Sequence, residues 1–153
     1  MKNIDTCIGI GSYAFAGTNM GLTYDSGPYL VDLGNCSYIG EGAFSGCGAL
    51  HYISLASAAS VPDYCFKYCY SLKSVNNLEH VVSIGAEAFV GCHYLPNLYI
   101  DDCREIGYAA FMDCTFTSKA RLNKNGVLFG ESDGEYRQFA NCQDLYAIEN
   151  LEY

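Results

Sequence analysis

Cysteine and histidine are the residues of this chain best suited to chemistry. The 153 residues include nine cysteines and three histidines. A thiolate beside an imidazole can act as a nucleophile, and several such residues together can hold zinc. Either site requires side chains that converge on one point, and so the spacing of the cysteines is decisive. Five of them follow a phenylalanine by three residues: Cys47, Cys69, Cys92, Cys114 and Cys142.

This spacing belongs to a longer unit that recurs along the chain. Cys7–Phe15, Cys36–Phe44 and Cys103–Phe111 all have the form Cys-x-x-Ile-Gly-x-x-Ala-Phe, and weaker copies lie between them. The phenylalanines of the six copies are Phe15, Phe44, Phe66, Phe89, Phe111 and Phe139. Three of the five steps between them are 22 or 23 residues long. Periods of this length are typical of a solenoid, in which stacked repeats bury each other's apolar faces.

The two longer steps each contain an insertion of loop-like composition. The first insertion lies within residues 17–28 and the second covers residues 123–136, and both are rich in Gly, Asn, Asp and Ser. We therefore predict a single repeat solenoid over residues 1–153, with about six repeats of 22–23 residues and one short parallel β-strand in each. The two insertions are predicted to be surface loops.

In such a solenoid the cysteines fall into columns. Besides the column after phenylalanine, Cys7, Cys36 and Cys103 each precede an isoleucine by three residues, and Cys65 takes an alanine position. Equivalent residues of stacked strands lie about 4.8 Å apart. The pattern thus predicts a core ladder of reduced thiols, since the odd number and the parallel side-chain directions argue against a disulfide framework.

The histidines and the other cysteine spacings do not indicate an active site. Only Cys65 and Cys69 come near the paired spacing of zinc ligands. Cys92 and His93 are adjacent, which places their side chains on opposite sides of an extended chain. The histidines lie in different repeats with no shared spacing: His51, His80 and His93. We expect no catalytic residues, no metal site and no cofactor, and we interpret the chain as a protein that is not an enzyme.

The complete unit resembles the BspA-type leucine-rich repeat. That unit reads Ile-Gly-x-x-Ala-Phe-x-x-Cys-x-x-Leu-x-x-Ile-x-Leu, and Leu72–Cys92 matches it along its whole length. The resemblance runs from Cys7 to about Leu151. It implies a right-handed solenoid with one short parallel strand per repeat, often found on large secreted or surface proteins. The proline usual after the strand is replaced by Ala56, Leu78 and Asp101.

Each predicted strand places its apolar residues inward and the residues between them outward. The inward pairs are Val31/Leu33, Ile53/Leu55, Val75/Asn77, Leu98/Ile100, Ala120/Leu122 and Ile148/Asn150. Asn77 and Asn150 interrupt the apolar pattern. A buried asparagine needs hydrogen-bond partners, so these two bond to a neighbouring turn or their strands are locally irregular.

The outward row is the best candidate for a binding surface, because solenoids present their strands as one extended face. Tyr52 and Tyr99 offer large amphipathic rings of the kind that bind protein partners. The alternative is that the row only solvates the sheet. The predicted partner-binding residues are Asp32, Tyr52, Ser54, Asn76, Tyr99, Arg121 and Glu149.

The net charge and the lengths of the apolar runs limit which partners and locations are expected. Acidic residues outnumber basic ones 17 to 8, and the net charge is −9. This charge repels phosphates and anionic lipids, so we expect neither direct nucleic-acid binding nor membrane binding. No run approaches the about 18 apolar residues of a membrane-spanning helix. Asp5 precedes the first apolar run, unlike in a signal peptide. The absence of a signal-like start and the predicted free cysteines together favour a cytoplasmic location. The alternative is a secreted or surface-exposed protein.

Three functional hypotheses follow. The first is a non-enzymatic protein–protein interaction module that binds through the strand face, the insertions or both. The second is a small intracellular inhibitor of a host protein, encoded by a virus or mobile element, whose acidic surface imitates nucleic acid. The third is a surface adhesin or receptor-binding fragment.

The ends of the repeat pattern suggest self-association. Repeat proteins need polar caps at both ends, and the pattern running from Cys7 to Leu151 leaves little room for them. The strand around Leu145–Leu151 carries one charge, Glu149. We therefore predict a homodimer or a capping partner at this C-terminal edge strand, unless the insertions fold over the ends.

Overall fold

A computed structural model describes residues 2–3, 8–20, 22–23, 27–28, 30–55, 57–95, 97–116, 119–142, 145 and 147–149. Its strands are β1 Lys2–Asn3, β2 Gly9–Ile10, β3 Leu22–Thr23, β4 Gly27–Pro28, β5 Leu30–Asp32, β6 Tyr38–Ile39, β7 Tyr52–Ser54, β8 Ser60–Val61, β9 Ser74–Asn76, β10 Ser83–Ile84, β11 Leu98–Tyr99, β12 Glu105–Ile106, β13 Lys119–Arg121, β14 Leu128–Phe129 and β15 Ala147–Glu149. Within these residues the only helix is a 3-10 turn, Leu78–His80, and no helix could span a bilayer.

The predicted strands stack in parallel, one from each repeat. In the first part of the chain the order is β1-β5-β7-β9, and in the last part it is β11-β13-β15. The register aligns Val31 with Ile53 and Ile53 with Val75, so equivalent residues of successive repeats are neighbours. The prediction of a parallel repeat solenoid is therefore confirmed.

Each repeat also contains a second strand, which the sequence pattern did not predict. The strands β8, β10, β12 and β14 form a parallel sheet, and β2 pairs with β6. Their inward residue is the isoleucine of the Ile-Gly motif or its equivalent, for example Ile84 against Ile106. A two-residue strand has one inward side chain, which is too short for an alternating pattern to reveal it.

The glycine of the Ile-Gly motif is explained by the close stacking of these strands. A Cβ atom at Gly40, Gly85 or Gly107 would lie under 3.0 Å from the backbone of the preceding repeat. In the same place the amide of Gly107 donates a 2.7 Å hydrogen bond to the carbonyl of Ile84. Any side chain would therefore separate two repeats that are joined by backbone hydrogen bonds.

The phenylalanines form a continuous ladder through the core. Six rings stack in chain order, with successive centroids 5.2–5.5 Å apart: Phe15, Phe44, Phe66, Phe89, Phe111 and Phe139. The four central rings are fully buried. Each ring thus packs on its equivalents, which is why no single repeat could bury its own core.

The cysteine column bonds one repeat to the next. The thiol of Cys92 donates to the carbonyl of Phe66 at 3.2 Å, and that carbonyl also accepts the amide of Cys69. Four further thiols make the same bond to the preceding repeat at 3.0–3.1 Å: Cys47, Cys69, Cys114 and Cys142. None of the eight described cysteines is in a disulfide, and all but the half-buried Cys142 are buried, as predicted. Cys7 lies outside the described residues.

Because these thiols are buried, the stability of the folded protein is expected to decrease at alkaline pH. Burial raises the pKa of Cys103 and Cys142 from 9.0 to about 11. Between these values the folded state holds protons that the unfolded state has lost. The contribution of these two thiols to stability is therefore constant below pH 9 and falls as the pH rises toward 11. Guanidinium denaturation at pH 8 and pH 10 should show this loss.

The Cys142→Ala variant is the matched control for this titration. Removing one of the shifted thiols should make the loss of stability between pH 8 and pH 10 smaller than in the unchanged protein. Equal stability of the unchanged protein at the two pH values would contradict the assignment.

Asn77 lies between the strands β1-β5-β7-β9 and the strands β11-β13-β15. Its backbone is left-handed, with φ of 68°, and it starts the 3-10 turn. Asparagine tolerates this conformation better than most residues. The sheet therefore ends at β9 and resumes at β11, as the interrupted apolar pattern indicated. Asn150 lies outside the described residues.

The predicted insertions contain some regular structure. In residues 17–28, β3 pairs antiparallel with β4. In residues 123–136, β14 pairs in register with β12, so this part continues the second sheet. Phe111 follows Ile106 by five residues whereas Phe139 follows Phe129 by ten, and the added length contains the bridge between Ser132 and Glu135.

The C-terminal strand β15 pairs with β13 through Ala147, Ile148 and Glu149. Residues 150–153 lie outside the described part of the chain. Homodimerisation through this edge therefore stays a prediction.

Candidate functional site

The predicted binding residues form two groups rather than one continuous row, because the sheet is interrupted at Asn77. The first strand group lies on β5, β7 and β9 and comprises Asp32, Tyr52, Ser54 and Asn76. The second strand group lies on β11, β13 and β15 and comprises Tyr99, Arg121 and Glu149. All seven side chains are exposed or half-buried.

Arg121 is the organising residue of the second strand group. Its Nε donates to Oδ1 of Asp101 at 2.6 Å, and its Nη2 donates to Oδ2 at 2.5 Å. The guanidinium also lies over the ring of Tyr99, 4.6 Å from the centroid. Its hydrogen bonds hold the pKa of the Asp101 carboxyl below its ordinary value. The carboxylate and the ring therefore fix Arg121 in one orientation.

A second ion pair borders this arrangement. Lys119 Nζ lies 2.8 Å from Oε1 of Glu149, and this hydrogen bond lowers the pKa of Glu149 and raises that of Lys119. Both side chains are exposed, so the pair contributes little to stability. The pair places a positive charge on β13 and a negative charge on β15, in the sheet whose first strand carries Tyr99.

The first strand group is held by local hydrogen bonds. The amide of Gly34 donates to Oδ1 of Asp32 at 3.0 Å, and Ser74 Oγ donates to Oδ1 of Asn76 at 2.8 Å. The half-buried ring of Tyr52 lies 6.1 Å from that of His51. Asp32 and Asn76 thus each accept a local hydrogen bond, and neither of these two contacts joins different strands of the group.

Asp101 and Lys119 were not among the predicted binding residues. Asp101 was noted only where a proline is usual, and Lys119 precedes the outward Arg121 by two residues on β13. The repeat spacing does reveal that Tyr99 and Arg121 are neighbours, because they are 22 residues apart. The Asp101–Arg121 pair joins positions that are not equivalent, so the repeat spacing does not reveal it.

The cysteines, histidines and carboxylates were the candidates for metal or thiol chemistry. Within them, no group of three or more His, Cys, Asp or Glu residues is placed to hold a metal ion. Burial raises the pKa of the Cys92 thiol well above its ordinary value, which disfavours the reactive thiolate. The arrangement of the second strand group can recognise a surface, through a ring, a guanidinium and flanking charges.

Comparison with known proteins agrees with the stacked architecture. Six copies of the family model described as BspA type leucine rich repeat region match residues 2–118. No curated protein and no solved structure matches the chain. The parallel strands β13 and β15 continue the repeats beyond the matched region. The chain belongs to the BspA-type leucine-rich repeat family, because the family model matches most of its length and the phenylalanine ladder and the Ile-Gly stacking agree with that match.

Proposed function

We propose that this protein is a non-enzymatic module that binds a protein partner through the second strand group, together with Asp101 and Lys119. Leucine-rich repeats serve in general as protein-interaction modules, and the chain consists largely of such repeats. The observation that carries the proposal is the fixed guanidinium of Arg121 between Asp101 and the ring of Tyr99.

A fixed arginine beside an exposed tyrosine has the properties of an interface centre. Tyrosine and arginine are enriched among residues that dominate binding energy. Because Asp101 and Tyr99 already hold the guanidinium, a partner does not have to order it, which lowers the entropic cost of association. Asp101 accepts two of the N–H groups, and a guanidinium carries more donors than these.

Charge selects the class of partner. The chain has 17 acidic and 8 basic residues, and the resulting negative field attracts basic protein surfaces. Rim charges such as Glu149 steer a partner mainly by raising the association rate, and salt screens this effect. A partner bound in this way should associate more slowly at higher ionic strength.

The proposal predicts that the double variant Tyr99→Ala/Arg121→Ala loses its partner. Partner capture from lysate of the source cells, quantified by mass spectrometry, should fall at least about tenfold, because two central contacts are removed. The melting temperature should change little, since both side chains lie on the surface.

Two matched variants complete the experiment. Tyr52→Ala removes a ring from the first strand group, and Tyr136→Ala removes an exposed ring from the second insertion. Both should keep full capture. Retention of the partner by Tyr99→Ala/Arg121→Ala and its loss in Tyr136→Ala would place the interface on the insertion and overturn the proposal.

A further inference from the structure

A cleft of about 400 Å³ lies on the turns that follow the phenylalanines, away from the strand residues discussed above. We call it the His93 cleft. It is lined by His93, Tyr94, Asp113, Thr115 and Asn141. None of these residues belongs to either strand group, so the cleft is a separate surface feature.

The cleft lies beside the last of three surface rings that contact each other in sequence order. The rings of Tyr68 and Tyr70 lie 5.8 Å apart, and His93 follows at 5.4 Å from Tyr70. Tyr70 and His93 each come four residues after the phenylalanine of their repeat, and Thr115 has this position in the next repeat. A small side chain therefore occupies the place where the next ring would stack, which leaves room beside His93.

A carboxylate stands at the same place. Asn141 Nδ2 donates to Oδ1 of Asp113 at 2.9 Å, which fixes the carboxylate. Both residues have left-handed backbones, with φ of 58° and 56°, a conformation that Asp and Asn tolerate. Among the described residues, no lysine or arginine forms an ion pair with Asp113.

At two other places among the described residues, a cation lies against a ring and pairs with a carboxylate. Arg121 lies over Tyr99 and pairs with Asp101. Lys67 lies 5.3 Å from the ring centroid of Tyr64 and 5.2 Å from that of Tyr68, and it pairs with Glu87. The His93 cleft likewise offers a ring and a carboxylate, and none of the described lysines and arginines pairs with that carboxylate.

We propose that the His93 cleft binds an arginine side chain of a basic protein segment. The guanidinium stacks on His93, in the place of the missing ring, and pairs with Asp113. A planar guanidinium can lie flat on a ring while it pairs with a carboxylate, as Arg121 does at 4.6 Å from the Tyr99 centroid. The Lys67 ammonium also makes both contacts, but it lies more than 5 Å from each ring centroid. The net charge of −9 favours a basic segment over an acidic one. This surface is additional to the second strand group and does not depend on it.

The test is an NMR titration of the full chain with a short capped peptide that contains one arginine among glycines and serines. Amide shifts should move at His93, Asp113 and Thr115. Replacing arginine by citrulline, which keeps the shape and removes the charge, should weaken binding at least about tenfold. The variant Asp113→Asn should have the same effect, because asparagine keeps the left-handed backbone.

Matched variants separate this site from general attraction to an acidic protein. Asp133→Asn makes the same charge change at another exposed left-handed residue and should leave binding unchanged. Thr115→Phe should fill the cleft and block the peptide, while circular dichroism shows that the fold is kept. Tyr99→Ala/Arg121→Ala should bind the peptide normally, so this result is independent of the proposed interface.

Three results would overturn the proposal. The first is equal binding of the arginine and citrulline peptides. The second is an equal loss in Asp133→Asn and Asp113→Asn, which would show a general charge effect. The third is tighter binding of a neutral oligosaccharide, or of the same peptide with tyrosine in place of arginine, at the same amides.

Discussion

Replacing Phe89 with alanine is expected to lower the free energy of unfolding by about 3–5 kcal/mol. The ring is fully buried and stacks between Phe66 at 5.3 Å and Phe111 at 5.2 Å. The gap cannot close easily, because the adjacent backbones are joined by hydrogen bonds from Phe66 to Ala88 and from Phe89 to Ala110. Guanidinium denaturation followed by circular dichroism measures the loss.

Phe139→Ala is the matched control, since this ring is the last of the ladder and is only half-buried. Its truncation should cost clearly less than that of Phe89, because less apolar area leaves the core. Equal losses for the two variants would contradict the assignment of Phe89 to the centre of a continuous ladder.

Replacing Gly107 with alanine is expected to destabilise the protein by about 3 kcal/mol, at the upper end of overpacking effects. The new methyl group would collide with the backbone of Gly85 and Ala86 rather than with a flexible side chain. Relief requires the two repeats to separate, which strains the 2.7 Å bond from the Gly107 amide to Ile84. The melting temperature and the denaturation midpoint should both fall.

Gly11 provides an unusually close control for this variant. It follows Ile10 as Gly107 follows Ile106, but a Cβ atom at Gly11 has no neighbour within 4 Å. Gly11→Ala should therefore leave stability nearly unchanged. Tolerance of alanine at Gly107 would show that the second sheet does not stack as closely as described.

The core of this fold could be predicted from the sequence, because stacked repeats bring equivalent residues into contact at a fixed sequence interval. The positions of Phe44, Phe66 and Phe89 alone predict that their rings are neighbours, and the cysteines three residues later follow the same rule. The direction of the thiol hydrogen bonds could not be predicted in this way. A bond from Cys92 to Phe66 depends on the turn that brings its Sγ against the preceding repeat.

The candidate site was predictable in part for the same reason. Tyr99 and Arg121 are one repeat apart, and the strand pattern placed both on the outer face. Asp101 was missed because it lies beyond its strand and meets Arg121 across non-equivalent positions. The division of the face at Asn77 was only partly foreseen, since an asparagine in the apolar pattern indicates irregularity without showing that pairing stops.

The most direct test of the proposed function is hydrogen–deuterium exchange of the full chain with and without its captured protein partner. The account predicts slower exchange in the complex at Leu98–Tyr99 and Lys119–Arg121, with no change at Tyr52–Ser54 in the first strand group. Protection at the His93 cleft as well would show that the partner also uses the second surface. Protection confined to the insertion around Ser132–Glu135, with the strands unchanged, would contradict the account.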